Sequence, residues 1–323
     1  MTTYIGIDLG GTKIAAAAVD VATGELIGRT VIPTDAHEGC EAVIKRMAEA
    51  VGEVCRSAGL ERAAVGGLGI GVPAVTDMEK GYMLFSPNLP GGWRGVPVAA
   101  TLREQTGLRS WIINDARAFT LAEATCGAGR GARTVIGMTL GTGIGGGIVI
   151  DGKLHLGLDG TAGEVGHQTI DPDGPQCGCG NRGCLEALAS GPAIASLGVK
   201  AVMQGLTTEI GPLVERDLNR ITPETIMRAA EHGDEVAREI LERVGGFLGT
   251  GIGNLITILS PDRVVIGGGV ARLGRWLLDP IQATVRQRCF ATPLDRVQIL
   301  PAALGTDAGV VGAAMWAFQM AQS

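Results

Sequence analysis

Aromatic side chains are scarce in this chain of 323 residues, of which phenylalanine, tryptophan and tyrosine together make up 3%. Lysine and arginine (27) are outnumbered by aspartate and glutamate (33), which gives a net charge of −6, and the basic residues form no cluster. Nucleic-acid-binding proteins use basic surfaces to bind phosphates and aromatic rings to stack on bases. The composition therefore argues against nucleic acid as a partner.

The features of export and of membrane insertion are also missing. The N-terminal segment MTTYIGIDLGGTK has no basic region followed by an apolar stretch and a small-residue cleavage site. The longest uncharged apolar run, 244–261, contains five glycines and an asparagine, which favours a buried helix over a membrane span. We expect a cytoplasmic protein with no membrane partner.

What the sequence does contain is glycine, 52 residues without a triplet period, which excludes a collagen-like chain. The length predicts about two domains, each able to bury its own core.

The chain has seven cysteines, an odd number, and three of them lie within eight positions. This pattern indicates a metal site in a reducing compartment more than a disulfide framework.

A glycine-rich hairpin occurs twice. Strands at 4–7 and 13–19 flank the loop DLGGT, and strands at 134–140 and 148–150 flank the loop GTGIGGG at 141–147. This repeat predicts an internal duplication, with two related lobes that each offer one loop to a shared cleft.

Helical and strand patterns alternate between and after the hairpins. Apolar spacing predicts a helix at 41–58, a buried strand at 64–75, a long helix that begins at Asp234, and a final helix at 306–321 that returns to pack on the first lobe. The fold class is therefore α/β.

The first loop places a carboxylate, two glycines, a hydroxyl and an ammonium directly after a strand. Gly10 and Gly11 let backbone N–H groups approach an anion, Thr12 and Lys13 add a hydroxyl and a charge, and Asp8 can hold Mg²⁺ through water. The pattern indicates a phosphate-binding loop. An ordinary hairpin turn is the alternative.

The second loop matches G-x-G-x-x-G through Gly141, Gly143 and Gly146. The dinucleotide fingerprint requires a helix to begin inside the glycine run, whereas here a strand follows. A second strand-loop-strand phosphate clamp is the better interpretation. The glycines 267–269 also follow a strand and can let a nucleotide lie close to the backbone.

Asn114 and Asp115 follow an apolar strand, at the position where α/β folds present their ligand crevices. A carboxylate there can act as a base. The alternative is that Asp115 is an N-cap for a helix at 116–124, because aspartate is a favoured cap.

The strongest local signal is one imidazole and three thiols within eighteen residues: His167, Cys177, Cys179 and Cys184. This is a Cys₃His zinc pattern, and four protein ligands leave no open position for water, so the metal should be structural. Free thiols or a redox pair are the alternative.

Three further polar side chains suit hydrogen bonds to the hydroxyls of a polyol. Glu164 and Glu186 flank the predicted metal ligands, and Asn88 lies in the rigid loop SPNLPG. The two glutamates can equally be surface acids, and the loop a simple turn.

Together these segments resemble the ROK family of sugar kinases and sugar-responsive repressors, and within it the bacterial glucokinases. The resemblance runs from Ile5 to Gly312. It rests on segments in the family's order, of which the nested spacing of cysteines, histidine and glutamates is the most specific. The segments are IGIDLGGTK, GVPAV, SPNLPGGW, IINDARAFTLAE, TLGTGIGGGIV, GTAGEVGHQTI, CGCGNRGCLEALAS and VVIGGGV.

The resemblance implies an actin-like, hexokinase-type fold of two lobes with duplicated βββαβα-type units and a cleft between them. We expect a small lobe of 1–114 plus 306–323 and a large lobe of 115–305 that carries a zinc-bound loop at 163–186. Family members usually have Asn where Arg117 stands, which is a departure beside the expected base.

The resemblance also implies transfer of the γ-phosphoryl group of ATP to the 6-hydroxyl of a hexose, most directly D-glucose, with Asp115 as general base. The expected ligands are ATP, Mg²⁺, structural Zn²⁺ and the sugar, and family likeness suggests a homodimer or homotetramer. Sugar binding falls to Asn88, Asn114, Glu164, His167 and Glu186, and nucleotide binding to Asp8, Gly10, Gly11, Thr12, Lys13, Thr139, Gly141, Thr142, Gly143, Gly267, Gly268 and Gly269.

Other sugars stay open as substrates: N-acetylglucosamine, N-acetylmannosamine, mannose and fructose. A non-catalytic sugar-binding protein and a sugar-sensing repressor are the rivals from other classes. The repressors carry an additional N-terminal helix-turn-helix module. Because Asp8 already belongs to the first phosphate loop, we expect no such module here.

Overall fold

The computed structural model of the protein describes residues 2–86, 89–90 and 92–322. The chain forms two compact units. Unit 1 consists of Met1–Ala132, Gly147–Gly163 and Ala302–Ser323, and unit 2 consists of Arg133–Gly146 and Glu164–Pro301.

Twelve strands lie in the described part of the chain. They are β1 (Thr3–Leu9), β2 (Lys13–Asp20), β3 (Leu26–Pro33), β4 (Leu68–Val72), β5 (Val75–Asp77), β6 (Tyr82–Phe85), β7 (Ser110–Asn114), β8 (Thr134–Leu140), β9 (Ile144–Ile150), β10 (Lys153–Leu154), β11 (Arg263–Gly267) and β12 (Gln298–Pro301).

The same residues contain ten α-helices, with short 3-10 turns between them. The helices are α1 (Cys40–Ser57), α2 (Val98–Thr106), α3 (Asp115–Thr125), α4 (Leu185–Ala189), α5 (Gly191–Met203), α6 (Ile210–Leu213), α7 (Pro223–Glu231), α8 (Glu235–Leu259), α9 (Arg275–Arg288) and α10 (Ala308–Gln322).

Two five-stranded sheets share one plan. Their strand orders are β3-β2-β1-β4-β7 and β10-β9-β8-β11-β12. In the first, β2 is antiparallel to β1 and β3, whereas β4 is parallel to β1 and β7. In the second, β10 is antiparallel to β9, and β11 is parallel to β8 and β12. The shared order agrees with the predicted repeat.

One predicted strand and one predicted loop have different bounds in the structure. The predicted strand 64–75 is reduced to β4, because a 3-10 turn occupies Arg62–Ala64 and Pro73 follows the strand. The predicted loop 141–147 is shorter than expected, because β9 already begins at Ile144 and runs through the three glycines that follow.

Helix α10 lies directly on the backbone of the first sheet. A Cβ atom added at Gly6 would overlap the carbonyl oxygen of Val310, and one added at Gly69 would overlap that of Ala313. Glycine is therefore required at both positions for the helix to come this close. The prediction that the final segment is a helix that packs on the first lobe is confirmed.

Helix α3 belongs to unit 1 because it packs on α10. A Cβ atom added at Gly312 would overlap the carbonyl oxygen of Ala118, and the Trp316 indole donates a 2.9 Å hydrogen bond to the Ile112 carbonyl at the strand that leads into α3. The lobe boundaries predicted from the sequence stay a prediction, and residues 115–132 pack within unit 1.

The core of unit 2 is built around α8, which was predicted to begin at Asp234 and has that residue as its N-cap. The Asp234 carboxylate accepts a 3.0 Å hydrogen bond from the Ala237 N–H. The apolar run that begins at Val244 is helical to Leu259 and buries one face of the helix. None of the helices in the described ranges combines the length and the apolar character needed to cross a membrane.

A buried carboxylate on α3 fastens two loops of unit 1. The side chain of Glu123 is fully buried and accepts hydrogen bonds of 2.8–3.1 Å from the N–H groups of Ala128, Ala303 and Leu304. It therefore ties the segment after α3 to the segment that leads into α10.

We expect Glu123→Leu to lower the free energy of unfolding by about 3 kcal/mol, because each buried N–H that loses its acceptor costs about 1–3 kcal/mol. Urea denaturation followed by circular dichroism measures this change. Glu104→Leu, at an exposed position of α2, is the matched control and should change the midpoint little. An unchanged midpoint for Glu123→Leu would contradict this role of the carboxylate.

Candidate functional site

Three parallel strands of unit 1 end at one edge of the first sheet. In the register, Asp8 of β1 lies opposite Gly71 of β4, and Val72 of β4 lies opposite Asn114 of β7. The carboxyl ends of parallel strands are where α/β sheets present ligand sites. The sheet thus brings Asp8 and the Asn114–Asp115 pair to the same edge, as the sequence predicted for Asp115.

The strand-to-helix turn at Asn114 fixes the direction of Asp115. The Asn114 side-chain oxygen accepts hydrogen bonds from the N–H groups of Ala116 (3.1 Å) and Arg117 (3.3 Å), which makes Asn114 the N-cap of α3. Asp115 is the first residue of the helix, and its Oδ1 accepts a 2.8 Å bond from Ala116 N–H. The capping role that the sequence left open for Asp115 therefore belongs to Asn114.

Asp8 is held in an unfavourable environment for a charge. Burial raises its pKa to about 6, the negative charge of Asp115 contributes in the same direction, and Lys13 opposes both. A Cβ atom at Gly309, in the first turn of α10, would lie 2.5 Å from the Asp8 carboxyl group. Perturbed carboxylates of this kind cluster at functional sites.

The first glycine loop is a tight turn held from one side. Gly10 N–H donates to the Lys13 carbonyl at 2.9 Å, and the buried Thr34 donates its hydroxyl to the Gly10 carbonyl (2.7 Å) and its N–H to the Thr12 carbonyl (3.0 Å). Residues Gly11, Thr12 and Lys13 are exposed. Thr34 carries no motif, so sequence analysis missed it.

The second glycine loop, in unit 2, comprises residues 141–143. Gly141 N–H donates to the Gly143 carbonyl at 2.9 Å, and Gly191 N–H donates to the Gly141 carbonyl at 2.8 Å. The Thr142 side chain at its tip is exposed. Thr139 lies just before the loop, half-buried in β8.

The half-buried carboxylate of Glu186 lies against this second loop. Its Oε2 accepts a 2.9 Å hydrogen bond from Ile144 N–H, and a Cβ atom at Gly143 would come within 2.5 Å of the same oxygen. A side chain at position 143 would displace the carboxylate, which is the physical reason for glycine there.

The third glycine segment adjoins the second loop. β11 pairs with β8 so that Gly267 lies opposite Thr139. Gly268 has φ +89°, and a Cβ atom there would overlap the Leu140 carbonyl, so only glycine fits. The structure therefore brings together residues 139–143 and 267–269 as neighbours within unit 2.

Glu164 precedes a 3-10 turn that ends at His167, and the His167 N–H donates to the Glu164 carbonyl at 3.1 Å. A Cβ atom at Gly166 would overlap the Ile144 carbonyl, so this turn packs on the start of β9. The Glu164 side chain is exposed. Asn88 lies outside the described residues.

The four predicted metal ligands converge. The ligand atoms of His167, Cys177, Cys179 and Cys184 all lie within 4.8 Å of one another. The His167 Nδ1 is 3.7 Å from Cys177 Sγ, and Cys179 Sγ is 3.7 Å from Cys184 Sγ. A zinc tetrahedron with Zn–S bonds of about 2.3 Å has S···S edges of about 3.8 Å, so the donor set fits zinc.

The thiols need a cation to ionise together. Burial raises the pKa of Cys177 and raises that of Cys184 to about 12, whereas the backbone N–H of Asn181 lowers the pKa of Cys179. A bound cation stabilises thiolates directly. The cysteine cluster also contacts Glu186, the carboxylate that lies against the second glycine loop: Cys177 Sγ is 3.9 Å from Glu186 Oε1.

Two mixed sheets of one plan, with carboxylates at parallel strand ends in unit 1 and glycine turns in both units, define an α/β protein of the two-lobed, actin-like class. The chain belongs to the ROK family, whose model matches residues 4–320. The fold and the family expected from the sequence are confirmed.

Individual relatives support this assignment. A glucokinase of Thermotoga maritima is 38% identical over 96% of this chain and 95% of its own length. The crystal structure of a ROK hexokinase from Thermus thermophilus matches with a TM-score of 0.83, 34% identity and 99% coverage of both chains. That of a ROK family glucokinase from Streptomyces griseus, in complex with glucose and AMPPNP, matches with a TM-score of 0.81, 35% identity and coverage of 98% and 99%.

We expect the purified protein to contain equimolar zinc, because the four ligands form a closed tetrahedral set. Removal of the metal with a strong chelator should lower the melting temperature, since the four ligands would then no longer be joined by a cation. Elemental analysis and thermal unfolding measure both effects. Cys179→Ser should lose zinc, whereas the control Cys40→Ser, in α1, should retain it, and equal zinc content in the two variants would contradict the assignment.

We expect Asp8→Asn to stabilise the chain at pH 8 by up to about 3 kcal/mol and to have little effect near pH 4. Between its usual pKa of 3.8 and about 6, Asp8 keeps a proton in the folded state that the unfolded chain releases, so its contribution to stability is lost as pH rises through this window. Urea denaturation without divalent cations at both pH values measures the difference, with Asp20→Asn as control. An equal gain at both pH values would contradict the environment described for Asp8.

Proposed function

We propose that this protein transfers the γ-phosphoryl group of ATP to the 6-hydroxyl of a hexose, with D-glucose as the first candidate. The observation that carries the proposal is the placement of Asp115 at the carboxyl end of β7, at the same sheet edge as Asp8. The glucokinases among its relatives, which match over nearly the whole chain, support the same activity.

In this proposal Asp115 is the general base. Its Oδ1 is held by the Ala116 N–H, which fixes the carboxylate at the start of α3. Asp115 accepts the proton of the sugar 6-hydroxyl as that oxygen attacks the γ-phosphorus in line with the departing ADP oxygen. Positioning and charge stabilisation supply most of the rate in phosphoryl transfer.

The glycine segments are proposed to bind the nucleotide. Gly11 and the exposed Thr12 and Lys13 suit phosphate oxygens, and Gly10, whose own N–H is bonded to the Lys13 carbonyl, lets a phosphate lie close to the backbone. Residues 139–143 would likewise hold ATP phosphates, and the glycines 267–269 would let the nucleotide lie close to the backbone. Asp8 would hold Mg²⁺, an ion that neutralises phosphate charge when bound.

The sugar is proposed to be bound by the carboxylates of Glu164 and Glu186, by His167, and by the amides of Asn88 and Asn114. Since His167 directs Nδ1 towards the cysteines, Nε2 is the ring nitrogen left for a sugar hydroxyl. Zinc would keep that ring in place without taking part in the reaction. Glu186 has Oε2 bonded to Ile144 N–H, so Oε1, which lies 3.9 Å from Cys177 Sγ, is the oxygen proposed to bind a hydroxyl.

The partners and location proposed with this activity are a cytoplasmic setting and a homodimer or homotetramer, as family likeness implies. N-acetylmannosamine, N-acetylglucosamine, mannose and fructose are the alternative acceptors. A coupled assay with each sugar, and with ATP, ADP or polyphosphate as donor, decides among them. Absence of phosphorylation with every sugar and donor would overturn the proposed function.

We expect Asp115→Asn to lower kcat by at least about 100-fold and to leave sugar affinity largely unchanged, because the amide keeps the shape but cannot accept the proton. Steady-state kinetics and calorimetric sugar binding measure the two quantities. Asp20→Asn, at the end of β2, is the control and should retain activity. Turnover close to that of the wild type in Asp115→Asn would remove Asp115 from the role of base.

A further inference from the structure

Arg117 is the only arginine or lysine that is buried among the described residues, with 5% of its surface exposed. It lies in the first turn of α3, two residues after Asp115. A buried guanidinium is costly unless hydrogen bonds compensate for the lost water. We therefore expect the buried guanidinium of Arg117 to make specific hydrogen bonds.

Two nitrogens of the guanidinium donate to the same backbone carbonyl of unit 1. Nε and Nη2 of Arg117 donate to the Ala162 carbonyl oxygen at 3.3 Å and 3.1 Å. Two donors of one rigid, planar group that converge on one acceptor fix its direction, which a lysine ammonium cannot do in the same way.

The Ala162 carbonyl lies near the end of a compact loop, residues 156–163. Ala162 N–H donates to the Leu156 carbonyl at 2.9 Å, and Thr161 donates its N–H to the Leu158 carbonyl at 3.0 Å. Gly157 has φ +65°, and a Cβ atom there would lie 2.8 Å from the Ala162 side chain. The loop is thus tightly folded. A hydrogen bond that fixes the position of the Ala162 carbonyl therefore also restrains Gly163 and Glu164, which follow it.

We propose that Arg117 is a positioning residue, which fixes the loop 156–163 relative to the start of α3 and so sets the affinity for the sugar. The inference rests on the proposed function. The backbone N–H of Arg117 is bonded to Asn114, next to Asp115, and Gly163 leads directly into Glu164. One side chain therefore joins the helix turn that carries the base to the segment that precedes a proposed sugar ligand.

The test compares Arg117→Met, which keeps length but has no donors, with Arg117→Lys, which keeps charge but has no planar fork. Arg109→Met is the matched control, because Arg109 is exposed and stacks at 5.1 Å on Trp111 of the neighbouring strand β7. Kinetics with glucose and ATP·Mg, and hydrogen exchange of the Thr161 and Ala162 amides, are measured for all four proteins.

We expect Arg117→Met to raise the KM for glucose about 10-fold and to change the KM for ATP no more than about twofold, because the variant loses two hydrogen bonds to the loop that precedes Glu164, a proposed sugar ligand. Arg117→Lys should fall between Arg117→Met and the wild type. Both amides should exchange faster in Arg117→Met and at the wild-type rate in Arg109→Met. In a fifth protein, Arg117→Ala, guanidinium ions at millimolar concentration should partly restore the glucose KM, and ammonium ions should not.

Two failures are distinguishable. If the wild-type chain phosphorylates glucose but a folded Arg117→Met keeps its glucose KM and its amide exchange, the positioning role is overturned and the proposed function stands. If the wild-type chain phosphorylates no sugar, the proposed function is overturned, and the role of Arg117 in sugar affinity is overturned with it.

Discussion

The contact between α10 and the first sheet is the constraint on which unit 1 depends. Gly6 and Gly69 remove the side chains that would separate the helix from β1 and β4, so backbone rests on backbone. The same approach brings Gly309 within reach of the Asp8 carboxyl group and sets α3 against α10. The carboxylates of Asp8 and Asp115 are therefore positioned by elements that pack together through this contact.

In unit 2 the corresponding organising point is Ile144. Its N–H binds Glu186, its carbonyl is covered by Gly166, and the loop 141–143 precedes it. The cysteine cluster meets the same glutamate through Cys177. A metal in this cluster would thus stabilise the loop proposed to bind phosphate and the proposed sugar ligands through one network of contacts.

Much of this was predictable because the signals are local. The glycine hairpins, the strand before Asn114, the long helix at Asp234 and the Cys₃His spacing each follow from neighbouring residues, and the fold, the family and the convergence of the four ligands agree with them. What escaped were long-range contacts. Thr34 supports the loop at Gly10 from 24 residues away, and Arg117 reaches Ala162 across 45. Neither residue type signals such a partner. The cap considered as an alternative role for Asp115 is formed by Asn114, because both residue types suit that position.

Because α10 covers one face of the first sheet, that face can be buried only after α10 has been synthesised. β1 and β4 are among the earliest parts of the chain to leave the ribosome, whereas α10, which buries one face of them, is made after every other described element. Until α10 emerges, the small residues along that face of the sheet stay open to water and to other chains. The nascent protein therefore carries an unfinished apolar surface through most of its synthesis, and a truncated product would present this surface to the chaperones and proteases of the cell.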